Sequence, residues 1–249
     1  MDPIARRDQR MLAMQRRTSY LFFPIVALLA LSWARVVKRL SIRDPRQIRA
    51  RFAALIGETH GPVLICANHL TLLDTIVIVW ALAPIHRYIR RYSLFPWSVP
   101  EKVNFSRTWF WRVASFLGKC VYITRGGPRH EVNRSLAKIT HLLRTGEVVS
   151  IFPEGGRSRT ARVDTQNFTY GVGQIIQAVP ETRVLCVYLR GRDQDTYSDF
   201  PRTGDEYVVE LEMFHPTTVY SGLRAARDLA TQIILRLAAM EARHFAHRE

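Results

Sequence analysis

The segment VLICANHLTLLD (residues 63–74) joins a short apolar run to a histidine and an aspartate. Its first five residues follow a Gly-Pro pair and contain no polar side chain, which indicates a buried strand. The apolar stretch at residues 70–81 has the length of a helix. His69 and Asp74 are five residues apart, and a regular helix would place them about 140° from each other. We therefore predict a strand, then a turn that carries His69, then a helix whose first turns hold Asp74.

The same alternation of short apolar runs and helical stretches continues to the end of the chain. Further strands are predicted at 85–89, 121–124, 148–152, 184–189 and 207–214, and further helices at 107–117, 131–144 and 223–246. Strands that alternate with helices predict an α/β sheet with helices on its faces. In such sheets, ligand sites lie at the loops that follow the carboxyl ends of strands.

The N-terminal region is basic and contains one long apolar run. Residues 1–51 hold twelve Lys or Arg and three Asp, in a chain of 249 residues with a net charge of +15. Residues 20–34 (YLFFPIVALLALSWA) are nearly all apolar and have basic residues on both sides. A bilayer span needs about 20 apolar residues, and stretches of about 10–14 are more often interfacial or buried. We predict a helix sunk into, or shallowly crossing, the cytoplasmic leaflet, where the basic residues bind an anionic membrane surface.

This prediction divides the chain into a basic, membrane-associated region at 1–57 and an α/β domain at 58–249. The expected location is the cytoplasmic face of the inner (plasma) membrane. A buried helix of a soluble domain remains an alternative for the apolar run. A cleaved signal peptide fits less well, because an aromatic and basic cluster follows the run instead of small residues. A nucleic-acid partner is not expected, since the basic excess flanks an apolar run and does not alternate with stacking aromatics.

The cysteine pattern favours neither a disulfide framework nor a metal site. The chain has three cysteines, Cys66, Cys120 and Cys186, and each lies inside an apolar run. The number is odd and no pair has C-x-x-C spacing, so we predict reduced core residues and no zinc.

Three polar segments follow predicted strands. The first carries His69, which titrates near neutral pH and can accept a proton from a hydroxyl, and a carboxylate on its other nitrogen would orient it. The second ends at Arg125, whose planar guanidinium suits phosphate. The third is FPEGGRS at residues 152–158, where glycines permit close backbone approach and N–H groups can hold an anion. Each segment alone is also compatible with a surface histidine, a solvated arginine or a plain turn.

Together, in this order and spacing, the segments resemble the glycerolipid acyltransferase family, whose best-known members are the 1-acylglycerol-3-phosphate acyltransferases. The resemblance covers roughly residues 62–191. Asn68-His69 with Asp74 matches the family's NHxxxxD block, Arg125 matches its second block, and residues 152–158 match its third, usually written FPEGTRS. The chain departs from the family at Gly156, which replaces a threonine, and in its fourth block, which lacks the usual proline.

The resemblance implies a fold, a reaction and a set of site residues. The fold is α/β, with a mixed, largely parallel sheet flanked by helices. The reaction moves a fatty acyl group directly from acyl-CoA or acyl-carrier protein to the hydroxyl of a lysophospholipid, with 1-acylglycerol-3-phosphate as the leading acceptor, and needs neither metal nor redox cofactor. His69 is the implied general base and Asp74 orients it. The implied substrate-binding residues are Asn68, Arg125, Glu154, Gly155, Gly156 and Arg157.

Two other functions stay open at this point. The acceptor can be a different molecule, such as a lyso-ornithine lipid or glycerol-3-phosphate. The chain can also be a catalytically inactive lipid-binding relative that is tethered to a membrane.

Overall fold

The computed structural model describes residues 4–59, 61–105, 108–196 and 198–246. The α-helices in these ranges are α1 (Arg6–Ser32), α2 (Pro45–Gly57), α3 (Asp74–Leu82), α4 (Ile85–Arg90), α5 (Lys102–Phe105), α6 (Trp109–Leu117), α7 (Arg129–Arg144), α8 (Gly171–Ala178) and α9 (Gly222–Ala246). The strands are β1 (Ser41–Ile42), β2 (Val63–Ala67), β3 (Trp97–Ser98), β4 (Val149–Ile151), β5 (Arg183–Gly191) and β6 (Glu206–Phe214). A π-helical segment, Trp33–Val37, extends α1.

The six strands form one sheet in the order β1-β6-β5-β2-β4-β3. All neighbouring strands run parallel except β5 and β6, which are antiparallel. Every residue of β2 is buried, as expected for a central strand of a parallel sheet with both faces covered. The predicted fold, a mixed and largely parallel sheet flanked by helices, is confirmed.

Helices cover both faces of the sheet, so there are two hydrophobic cores. Strand β2 contributes side chains to both of them. Ile65 and Ala67 pack into the core that contains residues of α2, α3 and α4. Leu64 and Cys66 pack into the other core, which contains residues of α7, α8 and α9. Successive side chains of a strand point to opposite faces, so a continuous apolar run is what this position requires.

The N-terminal helix α1 lies against the body along one stripe. Asp8, Leu12, Gln15, Ser19 and Phe23 are its buried residues, and their spacing of three or four places them on one face of the helix. Beyond this stripe the helix is mostly exposed. In the described part of the chain, Arg6–Val37 is the one helix that is long and apolar enough to cross a membrane.

Segments before residue 58 also belong to the sheet layer. Strand β1 pairs with β6 at one edge, and Phe52 of α2 is fully buried in one of the cores. The predicted division between residues 57 and 58 stays a prediction; the structure adds that a strand and a helix on its N-terminal side pack onto the α/β body.

Three predicted elements need correction. Residues 85–89 form α4 and not a strand, because a short apolar run cannot distinguish the two and Pro84 precedes a helix start here. Helix α3 begins at Asp74 and not at residue 70, since residues 70–73 form a turn around the Asp74 side chain. Residues 121–124 form no strand: Cys120 and Ile123 make only isolated bridges.

Candidate active site

The turn between β2 and α3 holds His69 beside Asp74. Nδ1 of His69 lies 3.0 Å from Oδ2 of Asp74. The Asp74 side chain is fully buried and accepts hydrogen bonds from the N–H of Leu70 at 2.6 Å and the N–H of Thr71 at 2.8 Å. Thr71 Oγ1 donates to the other carboxylate oxygen at 2.7 Å. The predicted contact is therefore present, and the turn itself fixes the carboxylate that faces the imidazole.

The loop after β4 holds His69 from the opposite side. The imidazole stacks on the ring of Phe152, with centroids 4.0 Å apart and planes 14° from parallel. The backbone N–H of His69 donates to Oε1 of Glu154 at 3.0 Å, and its carbonyl accepts from the N–H of Ser158 at 3.0 Å. Because β2 and β4 are parallel neighbours, their two following loops meet at one edge of the sheet.

His69 lines a cavity of about 820 Å³ at this edge. The cavity wall also includes Arg125, Gly155, Gly156 and Arg157. Within the described ranges, Nε2 of His69 has no hydrogen-bond partner, so one ring nitrogen is held and the other is available. The structure thus brings five of the predicted site residues to one cavity.

The other three predicted residues lie behind the cavity wall. Asn68 is buried, and its side-chain amide donates to Leu189 O at 2.9 Å while its oxygen accepts from Leu189 N at 2.8 Å. This pair of bonds joins the end of β2 to β5. Asp74 and Glu154 also contact the cavity only through His69. Substrate binding by Asn68 and Glu154 stays a prediction, and the contacts present here are positioning contacts.

Glu154 is an acid whose protonation state depends on its buried position. Burial raises the pKa of Glu154 to about 7, although hydrogen bonds from the N–H groups of His69 and Asp164 act in the opposite direction. The carboxyl therefore titrates close to neutral pH while it holds the backbone of the histidine.

Both arginines of the cavity are paired with acids from distant parts of the chain. Nε of Arg125 lies 2.7 Å from Oε2 of Glu101, and the Arg125 side chain is 42% exposed. Arg157 forms an ion pair with Asp199 and donates to Ser198 O at 3.1 Å. Sequence reasoning missed both acids, because neither lies within a motif.

The two glycines of the loop have different requirements. Gly155 has φ +73°, and a Cβ at this position would lie 2.4 Å from Cγ2 of Thr169. A Cβ on Gly156 would meet only Nη1 of Arg125, at 3.6 Å, which is ordinary van der Waals contact. The positive φ and the contact with Thr169 therefore require glycine at position 155. At position 156 the space beside Arg125 would accommodate a methyl group.

An apolar groove of about 540 Å³ opens next to the cavity. Residues of α1, α3 and α6 form most of its wall, and the groove and the cavity share Leu72, Thr75, Ser98 and Pro100. A polar compartment with a histidine thus continues directly into an apolar one. No sequence pattern indicates this groove, because its wall consists of residues that lie between positions 23 and 200 of the chain.

One ring nitrogen of His69 is held by Asp74 and the other is available, arginines line the same cavity, and an apolar groove adjoins it. These features suit an enzyme that acts on lipid-like acyl groups. A family model described as Acyltransferase matches residues 39–190, and the chain belongs to this family. It is an acyltransferase, and the resemblance to acyltransferases found in the motifs is confirmed.

The solved structures that are similar to this chain include an acyltransferase. The crystal structure of the 1-acyl-sn-glycerophosphate (LPA) acyltransferase, PlsC, from Thermotoga maritima aligns over 94% of this chain and 98% of that chain, with a TM-score of 0.42 and 14% sequence identity. None of the curated protein sequences compared matches the chain.

Proposed function

We propose that this acyltransferase moves a fatty acyl group from acyl-CoA or acyl-carrier protein to the hydroxyl of 1-acylglycerol-3-phosphate, giving phosphatidic acid. The observation that carries the proposal is the available Nε2 of His69 in a cavity that has two arginines on its wall and an apolar groove beside it. A phosphate-bearing lipid and a thioester-linked fatty chain are the substrates that such a site fits.

In the proposed reaction His69 is the general base. Nε2 removes the proton of the acceptor hydroxyl as the oxygen attacks the thioester carbonyl carbon. The tetrahedral oxyanion then collapses, the C–S bond breaks, and the leaving sulfur takes the proton from Nε2. The products are the acylated lipid and the free thiol carrier, and the histidine regains its starting state. Asp74, 3.0 Å from Nδ1, orients the ring and stabilises the imidazolium.

The hydrogen bonds of the glycine loop narrow the choice of oxyanion donor. The N–H of Gly155 already donates to Phe152 O, and the N–H of Ser158 already donates to His69 O, each at 3.0 Å. In the part of the chain that the structure describes, the N–H of Gly156 has no acceptor. We assign it to the oxyanion, a contact that typically contributes about 3–4 kcal/mol to transition-state stabilisation.

The remaining surfaces are assigned to the two substrates. Arg125 and Arg157 bind the acceptor phosphate, because guanidinium groups suit phosphate oxygens. The apolar groove holds the fatty chain of the donor. The acyl-CoA or acyl-carrier protein serves as co-substrate, and the proposed chemistry uses neither metal nor redox cofactor. Helix α1 keeps the enzyme at the cytoplasmic face of the inner membrane, where the lysolipid resides.

The test is acyl transfer by the purified full chain. Labelled acyl-CoA and 1-acylglycerol-3-phosphate are supplied in mixed micelles, and phosphatidic acid is measured by mass spectrometry. His69→Ala should lower kcat by roughly 10³-fold or more, since the general base is lost. Asp74→Asn should lower kcat by roughly 10²–10⁴-fold with a small effect on KM.

Circular dichroism and thermal unfolding serve as the folding controls. Near-normal turnover by folded His69→Ala would contradict the assigned base. Parallel assays with glycerol-3-phosphate and a lyso-ornithine lipid identify the acceptor: faster transfer to either of them than to 1-acylglycerol-3-phosphate would contradict the assigned substrate while leaving the acyltransferase class intact.

A further inference from the structure

Helix α6 presents large apolar side chains to solvent. Trp109 is 77% exposed, Phe110 57% and Val113 48%, and Ser115 is the one buried residue of the helix. These three residues define the α6 face. Thr108 caps the start of the helix by accepting the N–H of Trp111, so the face is presented by an ordered helix and not by a loose loop. Contiguous exposed apolar surface of this kind marks a site of interaction.

The α6 face lies beside the exposed part of α1. Phe23, Ala27 and Leu31 of α1 form one wall of the apolar groove, and Phe110 and Trp111 of α6 lie on another. Further along the outside of α1, Leu21 is 71% exposed and Leu29 67%. Phe110 therefore belongs both to the α6 face and to the wall of the groove that α1 borders.

Charge identifies the partner of the α6 face as a lipid surface. Residues 102–130 contain no Asp or Glu. Arg112 on α6 and Arg129 at the start of α7 are exposed, whereas Lys119 is buried against Glu147 and Arg125 is paired with Glu101. An apolar face with tryptophan among basic residues is typical of helices that lie at the boundary of headgroups and acyl chains. Anionic lipid complements the basic charge, whereas a protein partner of this groove would need acids that nothing in the structure points to.

We propose that the α6 face is a second membrane-inserting element, which enters the same leaflet as α1 on the other side of the groove. The groove then opens onto the hydrocarbon of the bilayer, and a fatty chain can pass between lipid and groove without crossing water. This inference goes beyond the acyl-transfer reaction, because it concerns how the body of the protein contacts the membrane.

Fluorescence of Trp109 tests the proposal in the full chain. Wild-type protein and Trp109→Phe are bound to phosphatidylcholine–phosphatidylglycerol vesicles, with or without bromine on the acyl chains. Trp109→Phe keeps the apolar surface and removes the reporter, so the difference between the two emissions belongs to Trp109. We expect brominated lipid to quench this difference signal by about half or more and aqueous iodide to leave it largely intact.

The matched control places a reporter on a distant exposed apolar residue. Leu223 is 74% exposed at the start of α9. The preceding strand, β6, runs antiparallel to β5, so its carboxyl end lies at the end of the sheet opposite the cavity. In the Trp109→Phe background, Leu223→Trp should be quenched by iodide and not by brominated lipid. A Trp109 signal that behaves like this control would overturn the proposal, whether or not the protein transfers acyl groups.

Discussion

At the scale of single residues, the position of the histidine depends on three neighbouring side chains, of which Phe152 lines the cavity and the other two lie behind its wall. Asp74, Glu154 and Phe152 hold its ring and backbone from three directions. Such a shell keeps the imidazole in one orientation before any substrate binds. Glu154 is the member of this shell whose charge changes near neutral pH, because burial raises its pKa to about 7.

Glu154 should therefore give the stability of the protein a pH dependence. A carboxyl whose pKa is higher in the folded state than in the unfolded state binds more protons when folded. Its contribution to stability is present below its unfolded pKa and is lost as pH rises toward 7. We expect Glu154→Gln to flatten this fall in the free energy of unfolding, measured in urea from pH 5 to pH 8. Glu181→Gln, at an exposed position, should retain the wild-type slope, and equal slopes for both variants would contradict the role of Glu154.

The two loop glycines allow a matched pair of substitutions. Gly155→Ala places a Cβ 2.4 Å from Thr169 at a positive φ, so we expect a loss of about 1–3 kcal/mol in the free energy of unfolding. Gly156→Ala meets only Arg125 at 3.6 Å, so we expect its stability to stay within about 0.5 kcal/mol of wild type. The free energy of unfolding of both variants is measured in urea. Equal losses would contradict the close contact between Gly155 and Thr169.

At the scale of elements, α1 is joined to the body by polar contacts at its amino end. Asp8 lies 2.6 Å from Nε of Arg134 and 3.4 Å from Nζ of Lys138, both on α7. Gln15 donates to the carbonyls of Phe116 and Cys120 at 3.1 Å. The exposed apolar half of the helix begins after this attachment, so in the proposed membrane-bound enzyme the attachment determines where that half meets lipid.

Removal of the Asp8 charge should loosen this attachment. Asp8→Asn loses both ion pairs and leaves Arg134 and Lys138 near each other without their acid, which disfavours the docked helix. We expect faster amide hydrogen exchange over the first turns of α1 and unchanged exchange in β5. Asp195→Asn, at an exposed position, is the control. Unchanged protection of α1 in Asp8→Asn would show that other contacts are sufficient.

The elements differ in how far the sequence predicts them. Strand β2 and helix α7 carry clear apolar patterns and were predicted close to their observed bounds. Strands β1 and β3 have two residues each, too few for any periodicity, and neither was predicted. Helix α8 was also missed. Residues 85–89 were assigned to a strand because five residues with few polar side chains fit both a strand and one helical turn.

At the scale of the whole molecule, contacts within the site could be predicted from spacing only between residues that are close in sequence. The His69–Asp74 contact is local, so its spacing was sufficient. Glu101 and Asp199 reach the arginines through the fold, and the apolar groove is made of helices far apart in the chain. Pairings of this kind follow from how parallel strands are ordered, which no local pattern records.

The position of β2 in the sheet also has a consequence for biosynthesis. Leu64 of β2 pairs with Val149 of β4 on one side and with Val184 of β5 on the other. Both neighbouring strands are therefore synthesised well after β2. Chains emerge amino end first at about 5–20 residues per second, so in the proposed membrane-bound enzyme the apolar half of α1 can enter lipid while the central strand still has no partner. A nascent chain that stalls before residue 183 would lack strands β5 and β6 of its sheet. Until β5 has been made, one edge of β2 has no strand to pair with, so the topology leaves an open strand edge in the partly made chain.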